Sequence, residues 1–398
     1  MKLSFCIIVK NEATNLPQCL ASVENLVDEI IVLDTGSSDR TVEIAKEFGA
    51  QVYHFKWCND FSAARNASLK YATGDWILVL DADEILVPEI IPQLKTAINT
   101  DNYILINLLR QEIGANQSPY SLVSRLFRNH PEIYFSRPYH AMVDDSIVKL
   151  LQKQPNWQII SLPDVAILHY GYQPGIITAK DKFQKAKTTM QSYMVQNPNE
   201  PYVCSKLGAL YIELGEVKRG IKLLQKGLKN QKNIDAGILY EIHYHLGIGY
   251  NKIQDIKQAK YHYIEAIKTN LLPQLQIGAY NNLGNLLLET GDLEAAYQAY
   301  TKTIQADNKF TFGYYNLGMV LKAKGLFTEA IAAYQQAINL NPNYAEAYQN
   351  LGVVLMKIGK IPESLAAFKQ AINLHSAQNS PLAQQLRQGL KNMGFNDN

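Results

Sequence analysis

Three carboxylates within four positions, Asp81-Ala-Asp83-Glu84, follow directly on the apolar run Ile77-Leu-Val-Leu80. Asp81 and Asp83 are two residues apart, so in extended chain their side chains point the same way. Two hard oxygen ligands on one side suit Mg²⁺ or Mn²⁺, with a diphosphate completing the coordination shell. The competing reading is an exposed acidic turn. The apolar run reads as a strand buried on both faces. Unpaired carboxylates are costly inside such a strand, so the strand must end where the acids begin. That end is the carboxyl edge of a sheet, where open α/β sheets bind ligands.

The elements that would position these acids alternate in type. Leu3 to Val9 reads as a strand, Asn11 to Val23 as a helix, and Glu29 to Leu33 as a second strand running into Asp34-Thr-Gly-Ser-Ser-Asp39. A helix from about Arg40 to Phe48 follows, with Asp39 as its N-cap and Gly49 as its stop. Gln51 to Phe55 reads as a short strand and Ser62 to Tyr71 as a helix before the central strand. Tyr103 to Asn107, Ser124 to Arg128 and Asp164 to Tyr170 are further candidate strands. Strands and helices alternating in this way imply a mostly parallel, Rossmann-like sheet over residues 1–170.

Past residue 201 the period changes. Gly284, Gly318 and Gly352 stand 34 apart (318−284, 352−318), each preceded by leucine. Twelve residues after each glycine comes Ala296, Ala330 or Ser364, and four further on Tyr300, Tyr334 or Phe368. This is the tetratricopeptide (TPR) pattern, in which small residues let two antiparallel helices approach and an aromatic fills the gap. Degenerate copies at Leu207-Gly208 and Leu246-Gly247 bring the array to about five repeats. Leu382 to Met393 is amphipathic and reads as a capping helix. The fold class is therefore α/β plus all-α. The α/β domain spans 1–170, a linker or hinge helix 171–201, and a helical solenoid 202–398.

Composition narrows the partners. Across 398 residues, 38 basic against 36 acidic side chains leave a net charge of +2. No long basic run points to nucleic acid. The four cysteines, Cys6, Cys19, Cys58 and Cys204, are widely spaced and form neither a zinc motif nor a disulfide framework. The apolar start is too short for a signal peptide or a membrane span, so no transmembrane segment is expected and a reducing, cytoplasmic compartment is the default.

Four blocks of the first half carry a resemblance. They are Ile7-Ile-Val-Lys-Asn-Glu12, Val32-Leu-Asp34-Thr-Gly-Ser-Ser-Asp39-Arg-Thr, Trp57-Cys-Asn-Asp-Phe61-Ser-Ala-Ala-Arg65-Asn66, and Gly74-Asp-Trp76 through Asp81-Ala-Asp83-Glu84. In this order and spacing they resemble the family 2 glycosyltransferases of GT-A fold, over about residues 1–170. The version joined to TPR repeats is similar to a bacterial subgroup whose members glycosylate lipopolysaccharide cores, peptides or proteins. The resemblance implies metal-dependent hexosyl transfer with inversion from a nucleotide-sugar donor, a UDP-sugar, using Mn²⁺ or Mg²⁺.

By that resemblance Val9, Asn11, Glu12 and Asp34 line the nucleoside pocket, where Asp34 can accept hydrogen bonds from uracil or ribose. The Thr-Gly-Ser-Ser turn lets backbone approach a nucleotide. Asp83 is implied as the main metal ligand, and Asp81 as a holder of ribose, metal or both. Arg65 pairs either with phosphate or with a motif carboxylate such as Asp81 or Glu84. Inversion needs a base opposite the leaving diphosphate. Arg125-Leu-Phe-Arg128 and Ser136-Arg-Pro-Tyr-His140-Ala-Met-Val-Asp144-Asp145 resemble two later blocks of the family. Ala141 stands where the family often has Glu, and Ser136 or Arg137 where Gly is usual. His140 is then a candidate for metal or diphosphate contact, and Asp144 or Asp145 for the base, against the reading of a solvated turn. His169 either closes over the diphosphate, binds metal, or is a buried structural histidine.

Two functions fit the chain. One is a sugar transferase whose repeats recruit an acceptor glycan, peptide or protein, or a protein partner. The other is a TPR scaffold with an inactive transferase-like domain. Solenoids bind along the face formed by the first helix of each repeat. There Asn282, Asn316 and Asn350 recur at 34-residue spacing (316−282, 350−316) and could hold a polypeptide backbone through their amides.

Overall fold

A computed structural model describes residues 1–115, 117–137, 141–171, 179–229 and 234–395. In chain order the first elements are β1 (Leu3–Val9), α1 (Leu16–Val23), β2 (Glu29–Asp34), α2 (Thr41–Glu47), β3 (Gln51–His54), α3 (Phe61–Leu69), β4 (Trp76–Val79), β5 (Glu84–Leu86) and α4 (Ile91–Ile98). Then come β6 (Tyr103–Glu112), β7 (Tyr120–Arg128), α5 (Asp144–Lys153), β8 (Gln158–His169) and α6 (Ala179–Gln196). The eight strands form one sheet in the order β3-β2-β1-β4-β7-β6-β8-β5. The first four in that order run parallel, β4/β7, β7/β6 and β8/β5 are antiparallel, and β6/β8 is again parallel. The sheet is thus mixed, with its nucleotide-fold half parallel.

Register decides what gathers at the edge. Val9 lies beside Asp34, Asp34 beside His54, and Cys6 beside Val79. The carboxyl ends of β1, β2, β3 and β4 therefore stand along one rim. Trp76, Ile77, Leu78 and Val79 are all buried, so the acids begin where the apolar burial ends. Two differences from the sequence reading follow from this rim. Residues 11–15 are not the start of a helix: Asn11 has φ 56°, and the stretch is tied instead to the loop after β2. The Ser38 amide donates to Asn11 Oδ1 at 2.7 Å and the Glu12 amide to Thr41 Oγ1 at 2.8 Å. Pro17 in the first turn then starts α1. The second difference is that Glu84 opens a short strand, pairing with His169 of β8.

β8 also begins earlier than its apolar run suggests. Its first half carries Ser161, Pro163 and Asp164 and pairs with β6 through shifted register, while β5 covers only Ile167 to His169 on its other side. A strand with one open flank tolerates proline.

The helical elements continue as α7 (Pro201–Glu213), α8 (Val217–Gly227), α9 (Ala236–Lys252), α10 (Ile256–Ile267), α11 (Ile277–Glu289), α12 (Leu293–Ala306), α13 (Thr311–Ala323), α14 (Phe327–Leu340), α15 (Ala345–Lys357), α16 (Ile361–Ala377) and α17 (Leu382–Asn392). Consecutive helices pair: α7 with α8, and α9 with α10, α11 with α12, α13 with α14 and α15 with α16. The glycine rule is visible in atoms. A Cβ on Gly247, Gly284 or Gly318 would lie 2.5, 2.5 or 2.6 Å from the ring of Tyr263, Tyr300 or Tyr334. No side chain but hydrogen fits there, and the three rings are buried. By contact density the chain divides into two compact units, Met1–Asn230 and Gln231–Asn398. The hairpin α7–α8 groups with the first.

Candidate functional site

At the rim, Asp34 ends β2 and is folded back on its own turn. Its carboxylate accepts from the amides of Gly36 at 3.1 Å and Ser37 at 3.0 Å, with His54 Nδ1 at 3.3 Å. Burial works to raise this carboxyl, but the Ser37 side chain and the two amides outweigh it and hold it below the usual range. Asn11 and Glu12 lie on the opposite lip, their amides bonded to Ser37 Oγ and Thr41 Oγ1. Burial raises the Glu12 carboxyl; Asn15 opposes this, and the nearby charges of Asp83 and Asp81 add to it. These residues thus share one electrostatic field, with Val9 buried beneath.

The acidic motif does not form a bare carboxylate cluster. It is threaded into a chain of alternating charge drawn from four strands and a helix. Arg65 Nη2 of α3 lies 2.5 Å from Asp81 Oδ1, and Arg125 Nη2 of β7 lies 2.5 Å from Asp81 Oδ2. The same Arg125 nitrogen is 3.3 Å from Glu84 Oε1, which Arg110 Nη1 of β6 meets at 2.6 Å. Arg110 Nη2 reaches Glu112 Oε1 at 2.8 Å, Glu112 Oε2 meets His169 Nδ1 at 2.5 Å, and His169 Nε2 faces Asp83 Oδ2 at 3.2 Å. Glu84 is fully buried, and its other oxygen accepts from the Asp81 amide at 2.8 Å, locking the turn. Asp81 and Asp83 keep 39% and 28% of their side chains exposed, so these two carboxylates are the ones that face outward.

The shifts follow from these contacts. Burial opposes ionisation of Asp81, but Arg125 and Arg65 hold its carboxyl far below the ordinary range. Glu112 is brought down to about 2 against its burial, chiefly by the His169 hydrogen bond and Arg110. His169 rises to about 9 although burial works the other way, because Asp83 and Glu112 both bond its ring.

Asp83 Oδ2 and His169 Nε2 face each other at 3.2 Å beside Gly171, where an added Cβ would lie 2.6 Å from His169 Nε2 and 3.1 Å from Asp83 Oδ2. Among the described residues no group of three or more His, Cys, Asp or Glu side chains is gathered to hold a metal, so a cation at this pair would need ligands from its substrate and water.

The two candidate bases part company. Asp144, at the start of α5, is turned inward: Ser124 Oγ donates to its Oδ1 at 2.8 Å, and its buried Oδ2 has no partner among the described residues. Burial pushes its carboxyl up, with the Ser124 bond opposing. Asp145 instead accepts from Ser136 Oγ at 2.5 Å and Arg137 Nη2 at 2.9 Å. Neither shares a hydrogen bond with Asp81 or Asp83. His140 lies outside the described residues.

In the array, Asn282, Asn316 and Asn350 are half-buried and each reaches back to the preceding repeat. Asn282 Nδ2 donates to Tyr244 Oη at 3.4 Å, Asn316 Nδ2 to Asn281 Oδ1 at 2.7 Å, and Asn350 Nδ2 to Tyr315 Oη at 3.1 Å. Lys322 Nζ donates to Asn350 Oδ1 at 2.6 Å.

Arg110 and Glu112 were absent from the sequence reading. Their signal was available: the stretch Ile104 to Leu109, apolar but for Asn107, ends in charges as Leu80-Asp81 does, and Arg110 and Glu112 are two apart on one strand face.

Comparison with known proteins agrees with this geometry. The family model for glycosyl transferase family 2 matches residues 4–160, and tetratricopeptide models match 277–310, 320–359 and 345–377. A TPR repeat-containing protein of Synechococcus elongatus is 43% identical over 305 residues, 77% of this chain and 75% of that protein. The SPbeta prophage-derived glycosyltransferase SunS of Bacillus subtilis is 29% identical over 58% of this chain and 54% of its own length. An uncharacterized glycosyltransferase of Rickettsia prowazekii is 33% identical over 37% of this chain and 53% of that protein. The chain thus matches about half the length of these last two relatives. Among solved structures, YrrB, described as a TPR protein with an unusual peptide-binding site, aligns with 48% of this chain and 94% of its own, at 17% identity and a TM-score of 0.40. No helix among the described residues is long and apolar enough to cross a membrane.

Proposed function

The chain belongs to the family 2 glycosyltransferases and carries a TPR array, and from that premise we propose that it moves a hexose, with inversion, from a UDP-sugar to an acceptor delivered by the repeats. The observation that carries this reading is the register of β1, β2 and β4, which sets Asp34 and the Asp81–Asp83 turn on one rim with β1 between them. Asp34, Val9, Asn11 and Glu12 receive the nucleoside. Asp83, with His169, is the metal-side pair. A bound Mn²⁺ or Mg²⁺ would supply charge neutralisation for the departing diphosphate.

The arginines divide the two motif acids. Both oxygens of Asp81 are already held by Arg65 and Arg125, which favours a fixed acceptor of donor hydroxyls over a sole metal ligand. Among the described residues Asp83 forms an ion pair with His169 alone, through its Oδ2, which favours it as the ligand. In the reaction the acceptor nucleophile bonds to the anomeric carbon, the bond from that carbon to the diphosphate oxygen breaks with its electron pair leaving on UDP, and the acceptor proton passes to a carboxylate. Asp145, the more accessible of the two candidates, is favoured over the inward Asp144 for that proton. Along the array, Asn282, Asn316 and Asn350 are assigned to the acceptor polypeptide or to a protein partner; each carries an amide with hydrogen-bonding capacity beyond the inter-repeat contact.

Thermal unfolding with UDP tests the reading. UDP with Mn²⁺ should raise the unfolding midpoint by mass action, and Asp34→Ala should abolish the rise. A donor-hydrolysis screen across nucleotide sugars then names the sugar. No midpoint shift with any nucleoside diphosphate, with or without metal, would sink the transferase in favour of a scaffold.

A further inference from the structure

The segment between β7 and α5 carries a buried charge that sugar transfer does not itself require. Ser136 and Met142 pinch this segment with an antiparallel bridge, the Ser136 amide donating to the Met142 carbonyl at 2.8 Å and the Met142 amide returning at 3.2 Å. Arg137, beside that bridge, has φ 77°. This is the left-handed region, disfavoured for a residue with a side chain. Only 7% of the Arg137 side chain is exposed.

A buried cation on strained backbone persists only if its surroundings over-determine it. Here two elements do so. Nη2 donates to Asp145 Oδ1 at 2.9 Å and lies 3.5 Å from Glu200 Oε1. The guanidinium sits over the Tyr202 ring, its carbon 3.9 Å from the ring centroid. Glu200 and Tyr202 are the N-cap and second residue of α7, the first helix of the first repeat. The Arg137 cation is held firmly in its charged form: burial opposes this, and Asp145 and Glu200 outweigh it.

The residue type is informative. The backbone conformation alone is better served by Gly or Asn. Packing against Tyr202 alone is better served by an apolar side chain, since a buried ion pair seldom beats one. What arginine adds is a planar, forked cation that can stack on one element and bond another at the same time.

We propose that Arg137 is a positioning residue through which α7 fixes Asp145, so that the first repeat is part of the acceptor side of the transferase. This rests on reading Asp145 as the acceptor-side carboxylate. Moving α7 by the length of a hydrogen bond would take Glu200 from Nη2 and Tyr202 from beneath the guanidinium, and let Asp145, held by the same Nη2, turn away from the Ser136–Met142 bridge.

The test uses the full chain with Glu200→Gln and Tyr202→Leu combined. Glu200 Oε1 accepts from the Tyr202 amide and Oε2 from the Val203 amide; glutamine keeps one of these two acceptors and Pro201 still opens the helix, so α7 should still form. Transfer to acceptor should fall roughly 10- to 100-fold, the range for a group misplaced by about 1 Å, while donor hydrolysis and UDP affinity stay at parental values. Arg137→Ala should show the same loss, and adding it to the pair should lower transfer no further, the signature of a single coupled unit. Unchanged transfer in the Glu200/Tyr202 variant, or losses that add, would overturn the proposal. Amide hydrogen exchange reads the coupling without any turnover. Exchange across Met142 to Ile147 should quicken several-fold in that variant, and unchanged exchange would overturn the coupling even if parental transfer is real. Quickened exchange in a chain that transfers no sugar would uphold the coupling and count against the transferase reading alone.

Discussion

The sheet edge and the helical array bury polar groups by opposite rules. At the edge the buried groups are full charges, and each carboxylate meets a guanidinium or an imidazole: Glu84 has Arg110 and Arg125, Glu112 has Arg110 and His169. Among the described residues of α9 to α16 each ion pair keeps an exposed partner, as with Lys268 and Glu265, whose side chains are 64% and 28% exposed. What the array buries is neutral: the Tyr300 hydroxyl donates to Asn285 at 2.7 Å, Ser364 Oγ to the Gly352 carbonyl at 2.7 Å, and His243 faces His262 at 2.9 Å. Replacing a buried ion network with apolar side chains often stabilises a protein. Its retention at one rim therefore points to work done there, whereas neutral burial in the array serves packing.

The sharpest way to break that contrast is to remove one member of the charge chain. Arg110→Met should destabilise the first unit by about 3–5 kcal/mol, because Glu84 and Glu112 lose a shared cation in a buried place. Denaturant unfolding of the full chain measures it. Lys268→Met, its counterpart on the array, should leave the unfolding midpoint unmoved. A small loss for Arg110→Met would mean that water already screens the rim.

Asp83→Ala separates chemistry from stability at the same edge. Asp83 closes the chain on His169 and is partly exposed, so the fold should survive. Transfer should fall on the order of 10²- to 10³-fold, as for loss of one charge-stabilising group, and Mn²⁺-dependent UDP binding should weaken. Undiminished transfer in that variant, with divalent metal removed by chelator, would end the metal-assisted mechanism.

How legible this rim was depended on distance along the chain. Asp34 and the Asp81–Asp83 turn could be read because an apolar strand and its terminal acid are neighbours in sequence. Glu84 could not: it resembled a third edge acid, and only pairing with His169, 85 residues away (169−84), buries it. The partnership of Arg110 with Glu84 depends on a β6–β8 register that shifts more than once, and no local pattern encodes such shifts. Asn11 was masked by helical composition, because the bonds that bend it come from Ser37 and Ser38. In the array the reverse held. Each glycine meets an aromatic sixteen residues on (300−284, 334−318), so period alone exposed the packing. What period did not expose is where the compact units divide, since α7–α8 shares the repeat pattern yet groups with the sheet unit.

That packing offers a milder test. Gly284→Ala would force a methyl to within 2.5 Å of the Tyr300 ring, and overpacking of this kind costs about 1–3 kcal/mol. Gly389→Ala in α17 meets nothing within 4 Å, and helix propensity should make it neutral or slightly stabilising. Helical circular dichroism against denaturant gives both values. Equal effects would show that the glycines serve the helices and not the contact between them.

The smallest expected effect asks whether the array's neutrality matters to it. His262 is buried between α9 and α10, stacked on Tyr250 with ring centroids 5.4 Å apart, edge-on to Tyr261, and bonded through its Nδ1 to His243. Burial and the neighbouring His243 bring its pKa down to about 4, with Glu265 pulling weakly the other way. Since the unfolded chain titrates near 6.5, the unfolded state takes up the proton first. The neutral ring's contribution is therefore complete above about pH 6.5 and is lost progressively as pH falls toward 4. The shift would correspond to a few kcal/mol if fully expressed, and screening brings the expected loss between pH 7 and pH 5 to about 1 kcal/mol. His262→Phe keeps the stacking on Tyr250 and removes the titration, so amide exchange in α9 and α10 should depend less on pH in that variant than in the parent. The rim's carboxylates titrate in both proteins and cancel in the difference. If parent and variant lose protection in parallel between pH 7 and pH 5, the histidine pair is not what keeps charge out of the array.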